Sequence, residues 1–371
     1  MNTLGTLPPI RHVVLRGSHA EVGRLHGEMF TEEIRASVAN RMELVEAYPV
    51  HHGGCRSREE ILELGRHCYE RHLVDFPGLM EELHGIAEGA GVDPIELLIQ
   101  NGFTDFRDYL FSAGSGAGPG EGCTVFAVVG DQAEDGHPLL GQTWDMHTTA
   151  VPFVVLLQIE VPGEPPVLMF SLVGCVGMMG LNGAGVGVLV NNLHASRGRP
   201  GVFWPFVNRH LLAYEKTSEA VRAMRGLTIS GAHNYLIGDS EGEILAIEQM
   251  PQGLAEELVT TTYVHTNHCL DELQQSRERR GQAVIRESSE ERLRLGREFL
   301  QNADRPVGVE DLMALTRLPA ASPGGHAVCM RPRPEFEMQS CGACILSPRQ
   351  RTLWALWGLP SENDYHAFHL G

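Results

Sequence analysis

From Cys123 onward the chain changes its period, and that change limits what it can fold into. "CTVFAVVG", "PLLGQTWDM", "FVVLLQIEV", "PVLMFSLVG", "GVGVLVNNL", "NYLIGD" and "EILAIEQM" are short β-rich runs broken by Gly, Pro and Asp. Before them the sequence reads as helix after one short strand, "IRHVVLRG". Ser18 with Glu21 and Ser57 with Glu60 have the form of capping boxes, the first opening a helix to about Glu46. Asp93 and Pro94 suit the N-cap and first turn of a further helix. Helices return at about 204–225 and 270–302, and "ACILSP" and "TLWALWGL" are strand-like. Sheets whose apolar faces must be buried stack, with helices over their outer sides. The expected architecture is therefore layered, α+β or α/β. The first 122 residues read either as a unit of their own or as part of one fold.

Composition narrows the partners. The chain has 371 residues, 43% of them hydrophobic, enough for a sizeable core, and a formal net charge of −18. That charge disfavours nucleic acid and anionic membrane. There is no basic n-region with a long apolar run at the start and no stretch near the ~20 apolar residues of a membrane span. A soluble, cytoplasmic protein is expected. Eight cysteines in such a chain read as thiols rather than as a disulfide framework.

One of those thiols stands apart. Cys123 begins a strand, follows a glycine, and comes after "SAGSGAGPGEG", a loop with almost nothing to pack and open to cutting without damage to a core. A packed core thiol is the plain reading. The chemical reading is self-cleavage: the thiol attacks the Gly122 carbonyl, an N→S acyl shift follows, and hydrolysis frees Cys123 as an N-terminus. Its α-amine, with a reference pKa of ~7.7–8.0, then serves as base to its own thiol.

The motifs along the chain support the second reading. "LRGSHAEVGRLHG", "GIAEGAGVD", "GCT", "GQTWD" twenty-two residues later, "GLNGAGVGVLVNNLH", "VHTNHC" and "LWGLP" together resemble the acyl-coenzyme A:6-aminopenicillanic acid acyltransferase family, also called the C45 peptidase family. The resemblance runs nearly end to end. It implies an N-terminal nucleophile hydrolase with a four-layer αββα fold, akin to the bile salt and penicillin V hydrolases. It implies a cut between Gly122 and Cys123, leaving a helical prosegment, 1–122, and a catalytic segment, 123–371, that stay together. Carried over residue by residue, Cys123 is the nucleophile. Asp145 orients or tunes the new amine. Asn267 lends its NH₂ to an oxyanion hole. Asn191, with Asn192 as the neighbouring choice, contacts the amine or the substrate carbonyl. Trp144, Asn192, Ser340 and Cys341 make the candidate substrate pocket. Cys341 stands where the penicillin-acylating member has an arginine, which argues against a shared carboxylate-bearing substrate.

Other features have plainer readings. His265, His268 and Cys269 are too compressed for an ordinary zinc site. Cys341 and Cys344 form a lone CxxC, read as buried strand thiols. "GLNGAGVGVLVNNL" lacks a dinucleotide fingerprint, "HHGGC" is a polar loop, and the charged helix at 270–302 presents a solvated face. The expected protein is an autoprocessed N-terminal cysteine amidase or acyltransferase acting on a small N-acyl amide or acyl thioester. No cofactor or metal is expected, and a homo-oligomer stays open. The alternative is an uncut, non-catalytic ligand-binding protein of the same fold.

Overall fold

A computed structural model describes residues 9–51, 56–110, 122–279, 283–322, 325–333 and 337–371. Most of the "SAGSGAGPGEG" loop and residues 52–55 of "HHGGC" lie outside the described residues. In chain order the helices are α1 (His19–Met29), α2 (Thr31–His51), α3 (Arg58–Asp75), α4 (Pro77–Ala90), α5 (Pro94–Asn101), α6 (Phe103–Leu110), α7 (Trp204–Leu211), α8 (Thr217–Met224), α9 (Glu272–Gln275), α10 (Ala283–Gln301) and α11 (Val309–Thr316). Both capping boxes form, and Asp93 caps α5 with Pro94 in its first turn. The helix expected to run on to Glu46 breaks at Phe30, where the Thr31 hydroxyl donates to the Gly27 carbonyl freed by the break.

Two sheets carry the rest. One has eight strands: β1 (His12–Arg16), β4 (Val154–Glu160), β5 (Val167–Leu172), β6 (Met179–Asn182), β7 (Val186–Asn192), β8 (His233–Asp239), β9 (Ile244–Met250) and β10 (Gly253–Leu258), in that spatial order. The other runs β11 (Thr262–His265), β2 (Gly122–Val128), β3 (Leu139–His147), β12 (Met338–Ser347), β13 (Thr352–Trp357) and β14 (His366–His369). All pairings are antiparallel except β1 with β4, which is parallel.

The alternation along β2 explains the layering. Cys123, Val125 and Ala127 point into the core between the sheets, with Trp144 and Cys341. Phe126 and Val128 point the other way, into a second core with Leu293 and Leu300 of α10 and Leu312 of α11. The Gln142 side chain crosses between the sheets, donating to the Val190 carbonyl at 2.6 Å and accepting the Val190 N–H at 3.0 Å. Helices α7 and α8 lie against β7 and β8, on the other side of the eight-stranded sheet. The result is helix, sheet, sheet, helix: an α+β fold of four layers.

The first 110 residues build into this fold. β1 extends the eight-stranded sheet, and residues such as Val22, Ile34 and Leu98 share one core with Leu156 and Phe170. The glycines of "GRLHG" and "HGIAEG" have a packing reason. Gly23 and Gly27 on α1 face Gly85 and Gly89 on α4, and a Cβ on Gly23 would fall 2.0 Å from the Glu82 carbonyl oxygen. Only glycine lets the two backbones approach so closely. No helix among the described residues is long and apolar enough to cross a membrane.

Candidate active site

Cys123 sits at the start of β2 toward α10, with β3 on one side and the loop after β11 on the other. Its backbone is held at both ends. The N–H donates to Asn267 Oδ1 at 2.9 Å. The carbonyl accepts Arg292 Nη1 at 2.7 Å and Asn191 Nδ2 at 3.2 Å. Asn191 is itself fixed, its Oδ1 accepting Asn234 Nδ2 at 3.0 Å. The thiol, by the alternation of the strand, faces the space between the sheets and is buried.

Asp145 lies across the strand pair from Gly122 and turns to the opposite face. Its Oδ1 accepts the Ser340 hydroxyl at 2.6 Å, and Ser340 in turn accepts the Met330 N–H at 2.9 Å. Its Oδ2 is buried with no hydrogen-bond partner among the described residues. A Cβ on Gly122 would meet that oxygen at 2.9 Å and Met330 Cε at 2.8 Å, so glycine is what admits the carboxyl beside the 122–123 bond. Burial pushes the Asp145 carboxyl up to about 7, against the opposing pull of Arg292 and the Ser340 hydrogen bond. It is poised to exchange a proton near neutral pH.

Asn267 differs from expectation. Its NH₂ is taken by the Asn192 carbonyl at 2.9 Å, and its oxygen is turned to Cys123. The reason is Arg292, whose Nη2 donates to the same Oδ1 at 2.8 Å and fixes the amide's direction. The loop beneath is pinned by Ser289, whose hydroxyl accepts the Asn267 N–H at 2.8 Å. His265 and His268 are engaged with Glu248 and Ser289 rather than with each other or Cys269. Asn192 turns away from Asn191, and both of its side-chain polar atoms are buried without hydrogen-bond partners among the described residues. Trp144 packs between the sheets, its ring 6.2 Å edge-on from Phe170.

Cys341 occupies a bulge between Ser340 and Gly342, its sulfur nearest the Gln339 carbonyl at 3.5 Å. Burial holds its thiol, and that of Cys344, well above the ordinary range, so neither is a ready nucleophile. The structure thus gathers Gly122, Cys123, Asp145, Asn191, Asn267 and Ser340 around one peptide bond, with Cys341 and Trp144 on the thiol side.

The residue the sequence reading missed is Arg292. It is 2% exposed, and Nη1 also donates to Thr124 Oγ1 at 3.1 Å. The signal was present: Ile285, Ser288, Ser289, Arg292, Leu293, Gly296 and Leu300 form the buried stripe of α10, and an arginine on that stripe needs a buried partner. Two cavities flank the site. One, about 770 Å³, reaches Met330 and Ser288; the other, about 400 Å³, reaches Asn267, His194 and Glu278.

Comparison with known proteins adds the following. The family model described as acyl-coenzyme A:6-aminopenicillanic acid acyl-transferase matches residues 132–316, a span that holds Asp145, Asn191, Asn267 and Arg292. The chain is 29% identical over 263 residues to the acyl-coenzyme A:6-aminopenicillanic-acid-acyltransferase 40 kDa form of Emericella nidulans, covering 70% of this chain and 69% of that protein. Among solved structures, the Caenorhabditis elegans N-acylethanolamine-hydrolyzing acid amidase ortholog matches at TM-score 0.42 and 14% identity, over 61% of this chain and 93% of its own. A mutant of the conjugated bile acid hydrolase from Clostridium perfringens matches at TM-score 0.42 and 11% identity, over 67% of this chain and 97% of its own.

Proposed function

We propose, from the premise that the chain belongs to the acyl-coenzyme A:6-aminopenicillanic acid acyltransferase family, that it cuts itself before Cys123 and then works as an N-terminal cysteine amidase. Membership makes it an enzyme of acyl transfer; the rest of the reading is ours. In the first step Cys123 Sγ adds to the Gly122 carbonyl carbon. The C–N bond breaks, a thioester forms, and the released nitrogen takes the thiol's proton. Water then hydrolyses the thioester, leaving a carboxylate on Gly122 and a free amine on Cys123. Asp145, packed against Gly122 on the face opposite the thiol, is assigned the delivery of a proton to the departing nitrogen.

In the second cycle the same thiol attacks the carbonyl of an N-acyl amide. The Cys123 amine receives the thiol proton and returns it to the departing nitrogen. Asn267 Oδ1, already on the Cys123 nitrogen, holds the amine in place. An amide fixed in that direction cannot also present its NH₂ to the oxyanion. The donor left for that role is Asn191 Nδ2, which reaches the Cys123 carbonyl at 3.2 Å and the His265 carbonyl at 3.4 Å. Water completes hydrolysis; an amine in its place would complete acyl transfer. Hydrolysis is the favoured outcome because water needs no acceptor pocket.

The observation that carries this reading is the anchoring of the Cys123 nitrogen on Asn267 with Asp145 packed against Gly122. Intact mass under denaturing conditions tests it, on the wild type and Cys123→Ala. Two chains, 1–122 and 123–371, from the wild type and one from the variant are expected. Acyl-enzyme trapping with a panel of N-acyl amides follows. A wild type that stays one chain would leave an uncut ligand-binding protein as the reading.

A further inference from the structure

The amine that the cut creates would be born beside a buried cation. In the uncut chain the Cys123 nitrogen and Arg292 Nη2 bond the same oxygen, Asn267 Oδ1, at 2.9 and 2.8 Å. Arg292 Nη1 grips the carbonyl of the same residue at 2.7 Å. The guanidinium therefore brackets Cys123 and shares an acceptor with its nitrogen. An arginine keeps its charge when buried.

We infer that Arg292 is the group that holds the Cys123 amine in its uncharged form, and so makes it a base. This rests on the reading of self-cleavage above. A like charge within a few ångströms disfavours protonation, by about one to three pH units at such distances. An ordinary α-amine is mostly ammonium at neutral pH and has no lone pair to take the thiol's proton. Beside Arg292 it becomes a free base near pH 7, where a proton acceptor is most effective. Below about pH 7 the other ionisable groups facing the amine do not cancel this. From β3 comes Asp145, which burial raises to about 7, so that it is mostly neutral below that value. From β12 comes Cys341, held as a neutral thiol by burial. From β7 and the loop after β11 come Asn191 and Asn267, which carry no charge, while His265 turns its ring to Glu248. Burial pulls Arg292 below the ordinary arginine value, with Asp145 and Cys123 opposing that shift, and the guanidinium starts high enough to remain a cation. It acts through the amine and is a positioning residue, one whose charge sets the protonation state of the base.

The composition makes the test clean. The chain has one lysine, Lys216, so the cut 123–371 chain carries two amines, Cys123 and Lys216. Pulsed acetylation of the cut protein by acetic anhydride, from pH 5 to 10, with peptide mapping, reads the Cys123 amine against Lys216 as internal reference. In Arg292→Gln the midpoint for Cys123 is expected to rise by about one unit or more, a tenfold loss of labelling on the acid side, with Lys216 unmoved. Arg292→Lys keeps the charge and is expected to stay within about 0.3 units of the wild type. Thr124→Val removes one hydrogen bond of Arg292, leaves its charge, and is expected not to move the midpoint. A cut Arg292→Gln with the wild-type midpoint overturns the inference and leaves the proposed function standing. Should Arg292→Gln fail to cut, Arg292→Lys decides, since a midpoint displaced by a full unit despite the retained charge is equally fatal. A wild type that never cuts overturns both.

Discussion

Asp145 is the residue whose environment makes the sharpest pH statement. Its folded-state carboxyl titrates at about 7, while an unfolded aspartate titrates at about 4. Between those values the unfolded chain releases the proton and the folded chain keeps it, so stability falls as pH rises from about 4 to about 7 and levels off above. Asp145→Asn cannot ionise. In the Cys123→Ala background, which keeps the chain uncut, it should flatten the Tm-against-pH curve over that window; parallel curves would refute the buried, protonated carboxyl. In the otherwise wild-type chain the same change should slow self-cleavage by about 100-fold, read by intact mass over time. Gly122→Ala makes the complementary test from the other side. Its methyl needs the space held by Asp145 Oδ2 and Met330 Cε, so a destabilisation of about 1–2 kcal/mol and slower cutting are expected. Cutting at the wild-type rate would mean the carboxyl has no need to sit there.

At the scale of elements, α10 is the support on which the site depends. Ser289 takes the Asn267 N–H, donates to Thr266 Oγ1 at 2.9 Å, and lies 2.7 Å from His268 Nδ1. Ser289→Ala would strand the buried Asn267 N–H at a cost of about 1–3 kcal/mol, seen as a lower Tm together with slower cutting. An unchanged cleavage rate with a lowered Tm would separate the helix from the chemistry. Sequence reasoning found the loop this helix supports and missed the helix's contribution. "GCT", "GQTWD" and "HTNH" are local strings, and their strands or loops place them directly. Arg292 has no such string. Its role comes from a helix meeting the start of β2 across 169 positions of chain, and charges on both sides of the stripe made α10 read as a solvated face. The same limit explains the turned amide of Asn267, since an asparagine's identity is in the sequence but the direction of its oxygen is set by a distant arginine.

For the whole molecule, the question is what would keep 1–122 and 123–371 together once the bond between them is gone. The sequence proposes the boundary; it could not show that the first segment supplies a sheet strand and shares the central core, because β1 pairs with a partner more than a hundred residues away. A half-buried ionic cluster adds to that union. His19 on α1 bonds Glu82 on α4 through Nδ1 and Glu164 beyond β4 through Nε2, both at 2.9 Å, and Arg209 on α7 lies 3.8 and 3.6 Å from the same two carboxylates. Two members belong to each segment. The hydrogen bonds to Glu164 and then Glu82 raise His19 to about 9. Its contribution is therefore fully present below about pH 6.5 and is lost as pH rises through about 9. The cut protein should remain one particle at pH 7, and the urea needed to part its two chains should be lower in His19→Gln than in the wild type. That gap should narrow between pH 7 and pH 10, where the wild-type imidazole is neutral as well. Sedimentation in graded urea at the two pH values reads it. A gap of equal size at both would show that the charge on His19 contributes nothing to holding the chains, and would leave the shared core and the β1–β4 pairing as what joins them.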